Sequence, residues 1–158
     1  MAKGMPKTQS KEICRPSDQS IWNLYQSEQK QMNPAYFETK FRTNDAGDSW
    51  PKEGHIITAY NPMDLQLSEI ENRLRNQKLK EQIRLSGFDC FAITGVSIDL
   101  THQEPSFFTN ASEKKSLAWG RAFEQRAIFG IKQDKLSIIP CLQEGDPIYI
   151  GSFQDRWV

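Results

Sequence analysis

The order of its apolar and helical segments constrains the fold of this chain more than any other feature of the sequence. From Tyr36 onward the patterns read strand, strand, helix, strand, strand, helix, strand, strand. The middle six elements follow the order β-α-β-β-α-β, which suits one sheet with both helices on the same face. A doubly wound fold is disfavoured, because only the first crossover resembles a simple parallel βαβ unit. We therefore expect an α+β fold: a ferredoxin-like core with an extra N-terminal strand and a C-terminal hairpin.

Local signals set the bounds of the predicted elements. Ser68 with Glu71 three residues later forms a capping box, and Gly87 marks the end of the first long helix. A second helix is predicted from Ser112 to Arg126. Strands are predicted from alternation or short apolar runs at 36–43, 55–60, 88–98, 104–109, 127–131 and 136–142, with a final extended piece at 148–153. A short helix is predicted at 20–31 after a flexible leader at 1–19, so 20–158 is expected to be a single domain.

The balance of charge and hydropathy narrows the classes of partner. The 158 residues carry 20 Lys and Arg against 20 Asp and Glu, so the formal net charge is zero. A neutral chain matches the phosphate backbone poorly, which argues against nucleic acid as the main partner. No window is apolar enough for a membrane helix, and the first twenty residues lack the core of a signal peptide. We therefore expect no membrane association and a cytoplasmic location, where the cysteines stay reduced.

Several motifs together resemble those of one bacterial family of small proteins. The stretch at 55–76 reads HIITAYNPMDLQLSEIENRLRN, and EPSF at 104–107 and AFEQRAIF at 122–129 follow it. This combination is similar to a family catalogued only as domain of unknown function 3293, and AYFETKFR at 35–42 is similar to its first strand. The resemblance implies no activity that can be carried over. Glu124 stands where the family tends to have Gly, which makes a tight turn there less favourable.

The predicted first helix carries one apolar stripe and one stripe that begins with asparagines. At about 100° per residue, Leu67, Ile70 and Leu74 lie on one line, which we expect to face the sheet. Asn72 and Asn76 start the second line, which becomes apolar further along the helix. Asparagine is a poor helix former, because its side chain competes for backbone groups. Two asparagines on one line therefore indicate that both have partners.

A set of polar side chains is predicted to line a pocket at one end of the sheet. Asn61 lies at the carboxyl end of a strand, where ligands gather in open α/β arrangements. The predicted ligand-binding residues are Asn61, Asn72, Asn76, Gln125 and Arg121, with Glu104 nearby. Amides beside one carboxylate suit recognition of a small polar molecule. The alternative is structural: the asparagines tie loops to the helix and Glu104 pairs with an arginine, since buried polar groups need partners with or without a ligand.

Two residues are candidates for acid–base chemistry. His102 stands two positions before Glu104, so either residue is a candidate general base, with Glu104 orienting the histidine. The structural alternative for His102 is a surface-loop histidine. Arg121 either extends along apolar neighbours to water or reaches Glu104. No metal and no cofactor are expected, because the second histidine is remote and no His-x-x-x-His or cysteine pair occurs.

Three functions follow from these candidates. We favour a module that binds a small polar ligand or has a regulatory role. One alternative is an enzyme that acts on a nucleotide-like or amide substrate with Glu104 or His102 as general base. Another is a protein-interaction module that uses a basic stripe of the first helix, formed by Arg73, Lys80 and Arg84. The ligand and the oligomeric state stay open.

Overall fold

In the part of the chain that the structure describes, two helices pack on one face of a curled antiparallel sheet. The structure is a computed structural model that describes residues 32–44 and 50–158. Within these residues the strands are β1 (Lys40–Arg42), β2 (Glu53–Ile57), β3 (Phe91–Val96), β4 (Gln103–Thr109), β5 (Ala127–Lys132), β6 (Lys135–Pro140) and β7 (Ile148–Ser152). The helices are α1 (Glu69–Leu85) and α2 (Glu113–Ala122). The sheet order is β1-β3-β4-β2-β5-β6-β7, and all these neighbours pair antiparallel. The expected α+β class is therefore confirmed.

The sheet curls until the first strand meets the end of the chain. Phe41 of β1 forms an isolated parallel bridge with Trp157, and the Val158 amide donates to the Phe41 carbonyl at 3.0 Å. Phe41 is fully buried, and its ring lies 5.2 Å from the ring of Phe129 and 5.5 Å from that of Phe153. Aromatic rings from both edges of the sheet thus fill the face that the helices leave uncovered.

The helix-covered face holds the second part of the core. It is built from buried apolar residues of three strands, both helices and their connections: Ile57, Ala59, Leu79, Ile83, Ala111, Trp119, Phe123, Ile128, Ile139 and Cys141. Burying such side chains contributes about 1.5–3 kcal/mol each, which offsets the entropy lost on ordering the chain.

Helix α1 buries a different face from the one predicted. Ile70 is 72% exposed and Leu74 is 55% exposed, so the prediction that their stripe faces the sheet is wrong. The buried line is the one that begins with Asn72 and Asn76 and continues through Leu79. The physical reason is hydrogen bonding. The start of α1 covers backbone N–H and C=O groups that have no partner in a neighbouring strand, and an asparagine side chain can hydrogen-bond to them whereas leucine cannot.

Local signals predicted both ends of α1 and the start of α2, but not the end of α2. Ser68 and Glu71 form the predicted capping box, in which the Glu71 amide donates to Ser68 Oγ and the Ser68 amide donates to the Glu71 carboxylate. Gly87 ends α1 with a φ of 85°, as predicted. Helix α2 is shorter than predicted, because Glu124 adopts a φ of 58° and stops it after Ala122.

Several predicted bounds differ from those observed. The predicted strand at 36–43 is a 3-10 helix at Pro34–Glu38 followed by the short strand β1, and Thr39 Oγ1 donates back to the Ala35 carbonyl at 2.9 Å. The other predicted strands exist with bounds shifted by a few residues. Gln133 and Asp134 both have positive φ in the predicted hairpin turn, as a type I′ turn requires.

The predictions for the leader at 1–19 and the helix at 20–31 lie outside the described residues. The expected domain at 20–158 therefore stays a prediction, while Pro34–Val158 form one compact unit. Within the described part of the chain, no helix is long and apolar enough to cross a membrane.

Candidate functional site

The loop after β2 has an unusual concentration of left-handed backbone. Asn61, Met63 and Asp64 have φ values of 44°, 55° and 62°. Such a conformation costs a residue other than glycine about 1–3 kcal/mol, and it persists only where the surroundings impose it. Strained backbone of this kind concentrates at functional sites, so the surroundings of this loop are the first place to look for one.

Asparagines of α1 hold the loop from the helix side. Asn72 Oδ1 accepts from the Asn61 amide at 2.8 Å, and Asn72 Nδ2 donates to Asn61 Oδ1 at 2.8 Å. Asn61 Oδ1 also accepts from the Leu67 amide at 3.1 Å. Asn76 Oδ1 accepts from the Ala59 amide and its Nδ2 donates to the Pro105 carbonyl, both at 2.8 Å. The three asparagine side chains are therefore hydrogen-bonded to the loop itself and to β4.

The turn after α2 holds the loop from its other side. Gln125 Nε2 donates to the Tyr60 carbonyl at 2.9 Å, and the Met63 amide donates to the Glu124 carbonyl at 2.8 Å. Arg75 Nε donates to the Ala59 carbonyl at 2.8 Å. Arg75 was absent from the predicted set, although its position three residues after Asn72 places it on the same side of α1.

Glu104 and His102, the predicted acid–base pair, lie close together at this end of the sheet. His102 Nε2 is 3.6 Å from Glu104 Oε2, and the Glu104 side chain is 30% exposed. Burial raises the pKa of the Glu104 carboxyl, and Asp64 adds to the rise, whereas His102 opposes it. Because Glu104 pairs with Gly95, which pairs with Phe41, its side chain is on the face that carries the aromatic rings.

Three further residues interact electrostatically with this carboxyl or with one another. Burial raises the pKa of the Tyr36 hydroxyl; the charges of Glu104 and Asp64 raise it further, and the charge of Arg126 lowers it. Arg126 Nε donates to Asp64 Oδ2 at 2.7 Å, in a pair whose side chains are 20% and 41% exposed. We call Tyr36, Asp64, His102, Glu104 and Arg126 the Glu104 site.

Sequence reasoning missed three members of the Glu104 site. Tyr36 stands in the AYFETKFR motif of the family resemblance, Asp64 stands two positions after Pro62, and Arg126 directly follows Gln125. Each therefore lay inside or beside a motif already singled out. Their meeting depends on which strands pair in the sheet, which local patterns do not identify.

Arg121 lies apart from the Glu104 site. Its Nε donates to the Cys141 carbonyl at 2.8 Å, beside a cavity of about 400 Å³ formed with the 139–145 segment. Within the described residues it forms no ion pair with Glu104, so the alternative in which it reaches that carboxyl is wrong. In residues 32–44 and 50–158, no three His, Cys, Asp or Glu side chains are grouped so as to hold a metal ion.

The basic stripe of α1 borders an open groove. Arg73, Lys80 and Arg84 line it together with Pro105 and Phe107, and its volume is about 650 Å³. Arg73 Nε lies 3.1 Å from Glu69 Oε1 one turn earlier, so part of the positive charge is balanced within the helix.

The fold and the site together define a class of α+β protein: two helices on a curled seven-stranded antiparallel sheet in the described residues, with a strained loop beside a half-buried carboxyl. Residues 57–128 match the model of a family described as "Protein of unknown function (DUF3293)". The resemblance predicted from the motifs is confirmed over this segment, which contains every predicted site residue. No curated protein and no solved structure matches the chain.

Proposed function

We propose that the Glu104 site binds a small polar ligand in a binding or regulatory role. The observation that carries the proposal is the environment of Glu104: a half-buried carboxyl with a raised pKa, 3.6 Å from a histidine and near the Asp64–Arg126 pair. A carboxyl whose pKa is raised by burial beside named charged groups is a recurrent mark of a functional site. Carboxyl, imidazole, phenol and guanidinium groups together offer donors and acceptors for a polar molecule.

In this proposal, the amide side chains that were predicted to contact the ligand instead hold the loop of the Glu104 site in place. Asn61 and Asn72 bond to each other, Asn76 bonds to backbone groups of two neighbouring segments, and Gln125 bonds to the Tyr60 carbonyl. These bonds hold the left-handed loop that carries Asp64. A site held by buried amides keeps its geometry before the ligand arrives, which lowers the cost of binding.

An enzyme is the second candidate, and the His102–Glu104 contact favours it. A carboxyl with a raised pKa beside a histidine is suited to proton transfer, with Glu104 or His102 as general base. The proposed substrate class is a nucleotide-like or amide compound. Loss of turnover with retained binding in Glu104→Gln would distinguish an enzyme from a binding module.

We further propose that β2–β5 with the two helices form a ferredoxin-like core in a cytoplasmic protein. The strand order β3-β4-β2-β5 and its antiparallel pairings support the ferredoxin-like core. The free thiols of Cys90 and Cys141, which form no disulfide, support a cytoplasmic location, because thiols stay reduced there.

A thermal-shift screen of a metabolite library tests the proposed ligand site. Wild type, Glu104→Gln and the control Glu81→Gln are compared, because Glu81 is an exposed glutamate on α1. We expect polar compounds that raise the Tm of wild type and of Glu81→Gln but not that of Glu104→Gln. Equal shifts in Glu104→Gln and wild type would contradict the proposal, as would a library without any stabilising compound.

A further inference from the structure

A further cavity lies at the other end of β2, away from the Glu104 site. Its volume is about 770 Å³, which is within the range of about 300–1,000 Å³ typical of small-molecule sites. The strand registers define its floor. His55, Gly130 and Ser137 pair in one row across β2, β5 and β6, and Tyr149 of β7 continues that row. Glu53, Lys132 and Lys135 form the next row. We call this space the His55 cavity.

The hydrogen bond of His55 leaves one ring nitrogen for a ligand. His55 Nδ1 lies 3.0 Å from the Ala111 carbonyl oxygen, which only accepts, so Nδ1 carries the proton. Burial lowers the pKa of His55 more than the Ala111 carbonyl and the Glu113 carboxylate raise it, which favours the neutral ring. Nε2 is then an acceptor, and within the described residues it has no hydrogen-bond partner.

Two lysines add positive charge one row further along the sheet. Lys132 and Lys135 pair across the β5–β6 hairpin, so their side chains leave the same face. Like charges directly opposite each other are unfavourable in the absence of an anion. Glu53 pairs in register with Lys132, but within the described residues neither lysine forms an ion pair with a carboxylate within 4.0 Å.

Apolar surface completes the cavity. Ile139 forms part of its wall, and the side chain of Tyr149, which is 62% exposed, stands beside Ser137. Gly130 has no side chain between His55 and Ser137; a Cβ there would lie 2.7 Å from Ile139 Cδ1. The Ile139 side chain therefore covers Gly130, and the floor of the cavity is an apolar surface bordered by an aromatic ring, which suits a flat molecule.

We propose that the His55 cavity binds a small aromatic acid that also carries a hydrogen-bond donor. The donor bonds to His55 Nε2, the ring packs on Ile139 beside Tyr149, and the acid meets Lys132 and Lys135. The two rows are two residues apart along the strand, a separation of about 7 Å. A single benzene ring with a hydroxyl and a carboxylate at opposite ends has about this length. This site is independent of the Glu104 site.

Titration of the ¹⁵N-labelled full chain with three matched probes tests the proposal. The probes are 4-hydroxybenzoate, 4-methoxybenzoate, which lacks the donor, and 4-hydroxybenzamide, which lacks the negative charge. With 4-hydroxybenzoate we expect saturable shifts of the backbone amide signals of Gly130, Ser137 and Tyr149. Each of the other two probes should bind about fivefold to tenfold more weakly, because each loses one polar interaction.

Charge-matched variants give the second arm of the test. Lys132→Gln with Lys135→Gln should weaken 4-hydroxybenzoate about fivefold to tenfold, whereas Lys78→Gln with Lys114→Gln, two exposed helix lysines, should not. Glu104→Gln should leave this binding unchanged. The proposal is overturned if these amides do not shift up to about 10 mM probe, if the three probes bind equally, or if both lysine pairs have the same effect.

Discussion

Glu124 ends helix α2 in a backbone conformation that suits glycine, and this makes a sharp test of the local physics. Its φ is 58°, its amide donates to the Arg121 carbonyl at 3.0 Å, and the Gln125 amide donates to the Gly120 carbonyl at 2.8 Å. These two bonds are those of a Schellman motif, in which the left-handed residue is usually glycine. Helix α1 ends in the same way with Gly87.

The change Glu124→Gly should therefore stabilise the protein. Relief of the left-handed conformation stabilises the folded state by about 1–2 kcal/mol. The greater conformational freedom of glycine in the unfolded chain reduces this gain by about 0.4–1 kcal/mol. The Glu124 carboxylate lies 3.8 Å from Arg75 and its side chain is 59% exposed, so losing this contact costs only a few tenths of a kcal/mol. The free energy of unfolding should rise by about 0.5–1 kcal/mol, which raises the Tm by about 1–4 °C for a chain of this size.

Urea unfolding at pH 7, with thermal unfolding as a second probe, checks this expectation. Glu124→Ala is the matched control, because it removes the carboxylate and keeps the Cβ, so it should be slightly less stable than wild type. Gly87→Ala is the converse control. Nothing lies within 4 Å of the added Cβ at Gly87, so its cost of about 1 kcal/mol is that of the backbone alone. The reasoning is refuted if Glu124→Gly is no more stable than Glu124→Ala.

Further changes test the supports of the Glu104 site and the site itself. Asn76→Ala should lower the free energy of unfolding by about 1–3 kcal/mol, because the buried Ala59 amide loses its acceptor and the Pro105 carbonyl is left with the Thr58 hydroxyl as donor, whereas Gln77→Ala on the exposed side should change it little. The folded-state pKa of Glu104 is raised, so its contribution to stability is present at low pH and lost as the pH rises through that pKa. Glu104→Gln should therefore gain stability relative to wild type between pH 4 and pH 7 in urea unfolding, and a relative loss would count against the burial argument.

Much of the fold could be predicted because its signals are local. Capping residues such as Ser68 and Ser112 satisfy the first amides of their own helices, and Gly87 provides the left-handed residue that ends α1. The element order depends on these ends and on the apolar runs between them. Glu124 shows the limit of such rules, because the turn forms without glycine where tertiary hydrogen bonds fix it.

The orientation of α1 was not predictable from the pattern of apolar residues alone. Leu67, Ile70 and Leu74 have the spacing of a buried stripe, yet Ile70 and Leu74 are exposed. The buried side was decided by Asn72 and Asn76, whose partners belong to the loop after β2 and to β4. The sequence indicates that these asparagines need partners, but it does not identify groups that lie more than ten residues away.

The Glu104 site was predicted in part for the same reason. His102 and Glu104 are two residues apart on one chain segment, so their contact followed from the sequence. Tyr36, Asp64 and Arg126 come from three distant segments. Asp64 and Arg126 meet because the strands they flank, β2 and β5, pair with each other, and Tyr36 interacts with both and with Glu104.

The most direct test of the proposed ligand site is to locate where a stabilising compound binds. After the thermal-shift screen, the best compound is added to the ¹⁵N-labelled protein and the backbone amide signals that move are assigned. We predict that the signals of Asn61, Asp64, Glu104 and Arg126 move together and saturate. Movement confined to the exposed face of α1 around Arg73, Lys80 and Arg84 would contradict the proposal and indicate a surface interaction instead.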